Sequence, residues 1–193
     1  LDGDKLSNRS FLVGPDGAIV ARYSKIHMFD VQVGDGATYR ESHTYEPGTE
    51  AVLAATPWGP LGMTICYDIR FPALYRTLAQ AGAGMITAPA AFTQVTGQAH
   101  WHVLQRARAI ENGAFIISAA QTGTHAEGRQ TYGHSVIVAP WGEVLADAGE
   151  APGVITAEID LTDVTKARGK VPSLSHDRVF AAPRAAEAAP VAA

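Results

Sequence analysis

LGMTICYDIRFPALYRTLAQ, residues 61–80, holds the single cysteine of the chain, and its reading decides the fold. Leu61, Met63 and Ile65 alternate with smaller residues as a short strand does, whereas Leu74 and Leu78 lie one helical turn apart. Cys66 therefore falls at a strand end, just before a helix. Phe71-Pro72 supports that boundary, since proline suits a helix's first turn and biases the preceding residue toward extended geometry. A thiol there meets unpaired N–H groups and the positive end of the helix dipole, both of which favour thiolate. Position alone leaves two readings open: a nucleophile, or a buried cysteine that packs like a small hydrophobe and reacts with nothing.

Downstream, strand and helix alternate: helix 72–81, strand 85–88, helix about 98–112, strand 115–119. In the second helix Trp101, Leu104, Ala107 and Ile110 form an apolar stripe, and Gly113 is a natural stop. Such alternation implies parallel strands with crossover helices. Residues 89–96 leave the carboxyl end of a strand, where sheets of this class hold their ligands. Upstream, strands 10–13 and 18–23 flank the hairpin turn Gly14-Pro15-Asp16-Gly17, and Lys25 leaves the second strand. Residues 24–50 read as a long surface excursion without sustained period, carrying Glu41. Further hairpins join 51–55 to 61–65 and 134–139 to 143–146, followed by a strand at 154–159 and a short helix at 161–168. Hairpins on both sides of a βαβαβ middle argue for mixed sheets with helices outside. One domain over 1–180 is expected, with an Ala/Pro-rich disordered tail at 181–193.

With 193 residues, 47% of them hydrophobic, and a mean hydropathy near zero, the chain has the composition of an ordinary globular domain. Its net charge of −4 and the absence of a basic run give no reason to expect nucleic acid as a partner. No apolar stretch is long enough to cross a bilayer, so no membrane is expected. One cysteine forms no internal disulfide, which fits a reducing, cytoplasmic compartment. Asn8-Arg9-Ser10 matches a glycosylation acceptor and is read as chance. His100 and His102 point to different helix faces, against a metal pair, and neither Gly34-Asp35-Gly36 nor Gly82-Ala83-Gly84 is a phosphate cradle.

A thiolate attacking an amide or nitrile carbon needs a cation or donors for the oxyanion and an acid for the departing nitrogen. Lys25, Glu41 and Cys66 are candidates, although Lys25 also reads as a solvated strand-end charge and Glu41 as an ordinary loop carboxylate. His27 and His134 could serve as the base of a Cys-His hydrolase, the second mechanism open to the sequence.

Tyr23-Ser24-Lys25-Ile26-His27-Met28-Phe29-Asp30, Arg40-Glu41-Ser42 with Pro47-Gly48, and residues 62–72 around Cys66 resemble successive signature blocks of the nitrilase, or carbon–nitrogen hydrolase, superfamily. The likeness continues in order through Pro89-Ala90-Ala91-Phe92, His100-Trp101, residues 106–112, Tyr132-Gly133-His134-Ser135 and Pro140-Trp141-Gly142-Glu143. It implies an α-β-β-α sandwich with two mixed sheets and helices outside, paired into a homodimer or higher homo-oligomer, without metal or organic cofactor. It also implies Cys66 as the acylated nucleophile, Lys25 and the Tyr67 backbone N–H as the oxyanion hole, and Glu41 as a supporting glutamate.

The family's general-base glutamate belongs to a strand–helix segment before the lysine, which this sequence does not contain. The expectation is an incomplete record of a longer enzyme; a truncated, inactive homologue acting as a binding or oligomerisation module is the alternative. Residues 91–101 and 119–123 look most like the branch containing deaminated-glutathione amidases, near the omega-amidases. That likeness implies a small 2-oxo acid amide as substrate. Phe92, Thr93 and Trp101 are expected at the pocket, with Arg70 and Arg129 as candidates for the substrate carboxylate. Arg70 could instead pair with Asp68, and Arg129 could be a solvated loop charge.

Overall fold

The computed structural model describes residues 4–33 and 38–184. Residues 185–193 of the expected tail and the Gly34-Asp35-Gly36 segment lie outside them. In chain order the elements are β1 (Arg9–Val13), β2 (Ile19–Ser24), β3 (Asp30–Gln32), β4 (Thr38–Arg40), α1 (Glu41–Thr44), β5 (Val52–Thr56) and β6 (Gly59–Met63). A 3₁₀ turn over Cys66–Arg70 leads into α2 (Pro72–Gln80), β7 (Met85–Thr87), α3 (Gln94–Asn112) and β8 (Phe115–Ser118). Then come β9 (Thr122–Thr124), β10 (Gln130–Tyr132), β11 (Val136–Val138), β12 (Val144–Asp147) and α4 (Thr162–Lys170).

The core is a six-stranded mixed sheet in the order β12-β11-β8-β7-β6-β5. Its middle strands β6, β7 and β8 run parallel through the crossovers α2 and α3, and hairpins close both edges antiparallel. On one face Leu74, Tyr75 and Leu78 of α2 and Trp101 and Ala109 of α3 bury against Ile86, Ile116 and Val138. On the other, Tyr23 of the β1–β2 sheet packs on Ala54, Met63 and Ile65, and Val164 of α4 packs on Met85 and Phe115. The chain is thus a layered mixed α/β domain with helices outside. Among the described residues, β1–β2, β3–β4 and β9–β10 form three further two-stranded sheets, of which β1–β2 packs on the core sheet.

Four readings of the sequence are corrected. Helix α3 begins at Gln94, because Thr93 caps it by accepting the Thr96 N–H. Its buried face carries Trp101, Gln105, Arg108, Ala109 and Asn112, whereas Ile110 is exposed and Leu104 and Ala107 are only half-buried. The helix crosses the sheet so that polar side chains are met by polar partners: Gln105 accepts the Ser118 hydroxyl at 2.8 Å, and Arg108 Nε donates to the Ile69 carbonyl at 2.8 Å. The excursion 24–50 contains the β3–β4 ribbon and the single turn α1. Residues 154–159 alternate in exposure as a strand would but join no ladder among the described residues.

Gly97 is where α3 comes closest to β10. A Cβ added there would overlap Cβ and Cγ of Tyr132. The variant Gly97→Ala is expected to lose about 1–3 kcal/mol of stability from overpacking, measured as a lower urea midpoint at unchanged m-value.

Candidate active site

The carboxyl ends of the three parallel strands open on one cavity of about 970 Å³. From β6 comes Cys66, from β7 residues 89–93, and from β8 residues 119–121, all in its lining, as are Lys25, Glu41 and Tyr67. Open α/β sheets hold ligands in this position.

Cys66 begins the 3₁₀ turn with a left-handed backbone, φ +49°, one of two non-glycine residues in that region among the described residues. Its N–H donates to the Pro89 carbonyl at 2.9 Å. Tyr67 follows in the first turn, where helical N–H groups lack an intrahelical acceptor.

Lys25 lies just past the end of β2, and its backbone is held on both sides: its N–H donates to Asn8 O at 2.9 Å, and its carbonyl accepts the Gly48 N–H at 2.8 Å. Gly48 must be glycine, because a Cβ would collide with the Ser24 carbonyl oxygen. The Lys25 side chain is only 3% exposed, and its ammonium pairs with Glu41 Oε2. The same Oε2 accepts the Phe29 N–H at 2.7 Å, and Oε1 accepts the Asn8 amide at 3.0 Å. Glu41 thus accepts from three donors, one of them the lysine ammonium that it orients.

Asp68 is fully buried and gathers four donors. It accepts the Tyr23 hydroxyl at 2.7 Å, the Ile65 N–H at 2.9 Å, the His27 N–H at 3.1 Å and the His27 ring Nδ1 at 2.8 Å. Tyr23 and His27 bracket Lys25, so Asp68 ties the lysine segment to the cysteine turn.

The burial of Cys66 works against the thiolate that its place at the turn favours. Burial pushes the Cys66 thiol up, with Glu41 and Asp68 adding to the rise, while the Lys25 ammonium and the Ala91 N–H pull it down. Desolvation is the largest of these effects, and the Lys25 ammonium is the largest that opposes it.

The remaining expected residues divide. Phe92, Thr93 and Arg129 line the cavity, as do Arg9 and Arg40. Trp101 does not; its ring packs on Phe92 from behind, centroids 4.9 Å apart, and its indole N–H donates to the His134 carbonyl at 2.8 Å. Arg70 is likewise absent from the lining. Its guanidinium stands over the Phe92 and Tyr67 rings and contacts His100 Nδ1 at 3.3 Å, not Asp68. Neither His27, stacked on Phe71, nor His134, turned to Asp147, lines the cavity. Asn8 and Asp68 were missed as site residues: the first showed only an acceptor tripeptide, and the second lies two residues after Cys66 with nothing to show its partners.

The carbon–nitrogen hydrolase family profile matches residues 2–169. A deaminated glutathione amidase of Synechocystis sp. is 50% identical over 181 residues, covering 93% of this chain and 66% of that one. Its counterpart from Yersinia enterocolitica is 47% identical over 176 residues, covering 91% and 62%. The crystal structure of the C. elegans NitFhit protein superposes with a TM-score of 0.85 at 43% identity, covering 92% of this chain and 43% of that one. The chain belongs to the carbon–nitrogen hydrolase family, in the part that contains the deaminated glutathione amidases. It spans less than two thirds of the length of these curated relatives.

Two outcomes test the geometry. Asp68→Asn turns an acceptor of four hydrogen bonds into a partial donor, and should lower the unfolding free energy by about 2–4 kcal/mol, read by chemical denaturation. A raised thiol pKa means less thiolate at any given pH, so iodoacetamide should alkylate Cys66 with a pH midpoint above that of free cysteine. Lys25→Met removes the main stabilising charge and should move that midpoint higher still.

Proposed function

We propose that this member of the carbon–nitrogen hydrolase family carries the nucleophile half of an amidase acting on small amides that bear a carboxylate. The observation supporting it is the meeting of Cys66, Tyr67 and the buried Lys25–Glu41 pair on one cavity. In this reading the Cys66 sulfur attacks the amide carbon, and the carbonyl oxygen takes up the negative charge between the Lys25 ammonium and the Tyr67 N–H. The carbon–nitrogen bond then breaks, ammonia leaves with a proton, and water cleaves the thioester to release the acid and restore the thiol.

Since burial favours the protonated thiol, a base must take its proton as the sulfur attacks. Glu41 is spent on Lys25, Phe29 and Asn8, which suits it to positioning rather than proton transfer. By family pattern that base is a glutamate from a segment preceding the lysine. Arg9, Arg40 and Arg129 give the cavity mouth a positive character that favours an anionic substrate, supporting a 2-oxo acid amide. The expected pairing with a second copy is supported by the exposed apolar side chains Val103 and Ile110 of α3, the latter lying beside Gly142 of the β11–β12 turn.

Ammonia release from 2-oxo acid amides, assayed on a chain extended to include the preceding segment, tests the reading. Anionic amides should show a lower KM than neutral ones of equal size, and Cys66→Ala should lose at least about 10³-fold in kcat/KM while keeping the fold. Turnover that survives in Cys66→Ala overturns the proposal.

A further inference from the structure

Away from the cavity, the fold brings together three side chains that lie far apart in sequence: His102 on α3, His134 just before β11, and Asp147 at the end of β12. We propose that they form a binding site for a divalent first-row transition-metal ion, zinc foremost, separate from the acyl-transfer chemistry.

Both imidazoles turn a ring nitrogen toward one carboxylate. His102 Nε2 stands 2.7 Å from Asp147 Oδ2, and His134 Nδ1 stands 2.9 Å from Oδ1. The three donor atoms all lie within 4.8 Å of one another, and among the described residues this is the one such trio. Donor atoms around a tetrahedral zinc stand about 3.3 Å apart, so an ion needs only side-chain adjustment to enter. Two imidazoles and one carboxylate form a donor set that suits zinc, cobalt or nickel better than magnesium or calcium. The side chains are 32%, 20% and 30% exposed, which leaves a fourth position open to water.

The surroundings hold the donors in place as the second shell of a metal site does. His134 sits in left-handed backbone, φ +57°, a conformation that costs a non-glycine residue about 1–3 kcal/mol. It is pinned there: its N–H donates to the Gly149 carbonyl at 2.7 Å, and its carbonyl accepts the Trp101 indole N–H at 2.8 Å. The Tyr132 ring stacks on the His134 ring at 4.4 Å, and the Gly149 N–H donates to Asp147 Oδ1 at 2.8 Å. A bare ion pair on the surface would need none of these supports.

An ion here would fasten α3 to the β11–β12 hairpin. It would sit one residue from Ser135, whose hydroxyl accepts the Ala120 N–H at 2.9 Å on the cavity wall.

Isothermal titration of zinc chloride into the full chain tests the site. One saturable site is expected, weakened about tenfold or more by His102→Gln and by Asp147→Asn and unchanged by Cys66→Ser. Cobalt(II) should give d–d bands without thiolate-to-metal charge transfer. Circular dichroism checks the folding of each variant, with His134→Asn, which tolerates left-handed backbone, standing in for any that fails. The proposal is overturned by absence of saturable binding, by equal binding in the His102, Asp147 and His134 variants, or by loss of binding in Cys66→Ser.

Discussion

A single carboxylate with no exposure to water, Asp68, links the segment that carries Lys25 to the turn that carries Cys66. Asp68 belongs to the cysteine turn, yet three of its four hydrogen bonds come from Tyr23 and His27 on either side of Lys25. Burying a charge is costly unless donors replace its hydration, and here the Tyr23 hydroxyl, two backbone N–H groups and an imidazole do so. The fourth bond, from the Ile65 N–H, caps the turn that presents Cys66. One set of bonds both folds the turn and docks β2 onto it, so the positions of Cys66 and Lys25 are coupled through Asp68.

Electrostatics at the sulfur follow from that arrangement. A lysine beside a cysteine depresses its pKa, but Lys25 comes with a counter-charge in Glu41 that works the other way, and desolvation is the largest effect at Cys66. The pair keeps an ammonium in a buried place without committing it to the resting thiol. Under the proposed reaction, charge developing on a substrate oxygen would meet a donor already oriented, the arrangement that favours a transition state over its ground state.

Much of this was readable in the chain. The hairpins were evident because Gly14-Pro15-Asp16-Gly17 and Pro140-Trp141-Gly142 are turn chemistry, and the crossover helices because their periods are strong. Lys25, Glu41 and Cys66 were not selected by spacing, since 16 and then 25 residues separate them and only family resemblance joined them. The first turn of α3 is not evident from its period, because residues 94–97 carry no apolar stripe and Gly97 admits the Tyr132 ring rather than ending the helix. Its apolar stripe was misjudged because period alone cannot see that Gln105 and Arg108 have buried acceptors and donors waiting. Three-residue ribbons such as β9–β10 carry too little alternation to register, and Asn8 gave no sign of its reach to Glu41.

Backbone strain connects the cavity to the histidine cluster. Cys66 and His134 are the two non-glycine residues with positive φ among the described residues, and each is held by bonds from distant segments. Glycine would adopt either conformation at lower cost, so a side chain is retained at both places against the local preference. At Cys66 the left-handed turn lifts the sulfur off the sheet end into the cavity; at His134 it turns the imidazole back toward β12 while Ser135 continues to the cavity wall. Strain of this kind persists only where surrounding contacts over-determine it. The Pro89 carbonyl and Asp68 do so at one place, and Gly149 and Trp101 at the other. Trp101 lies between the two places, packing on Phe92 behind the cavity and donating to the carbonyl of His134.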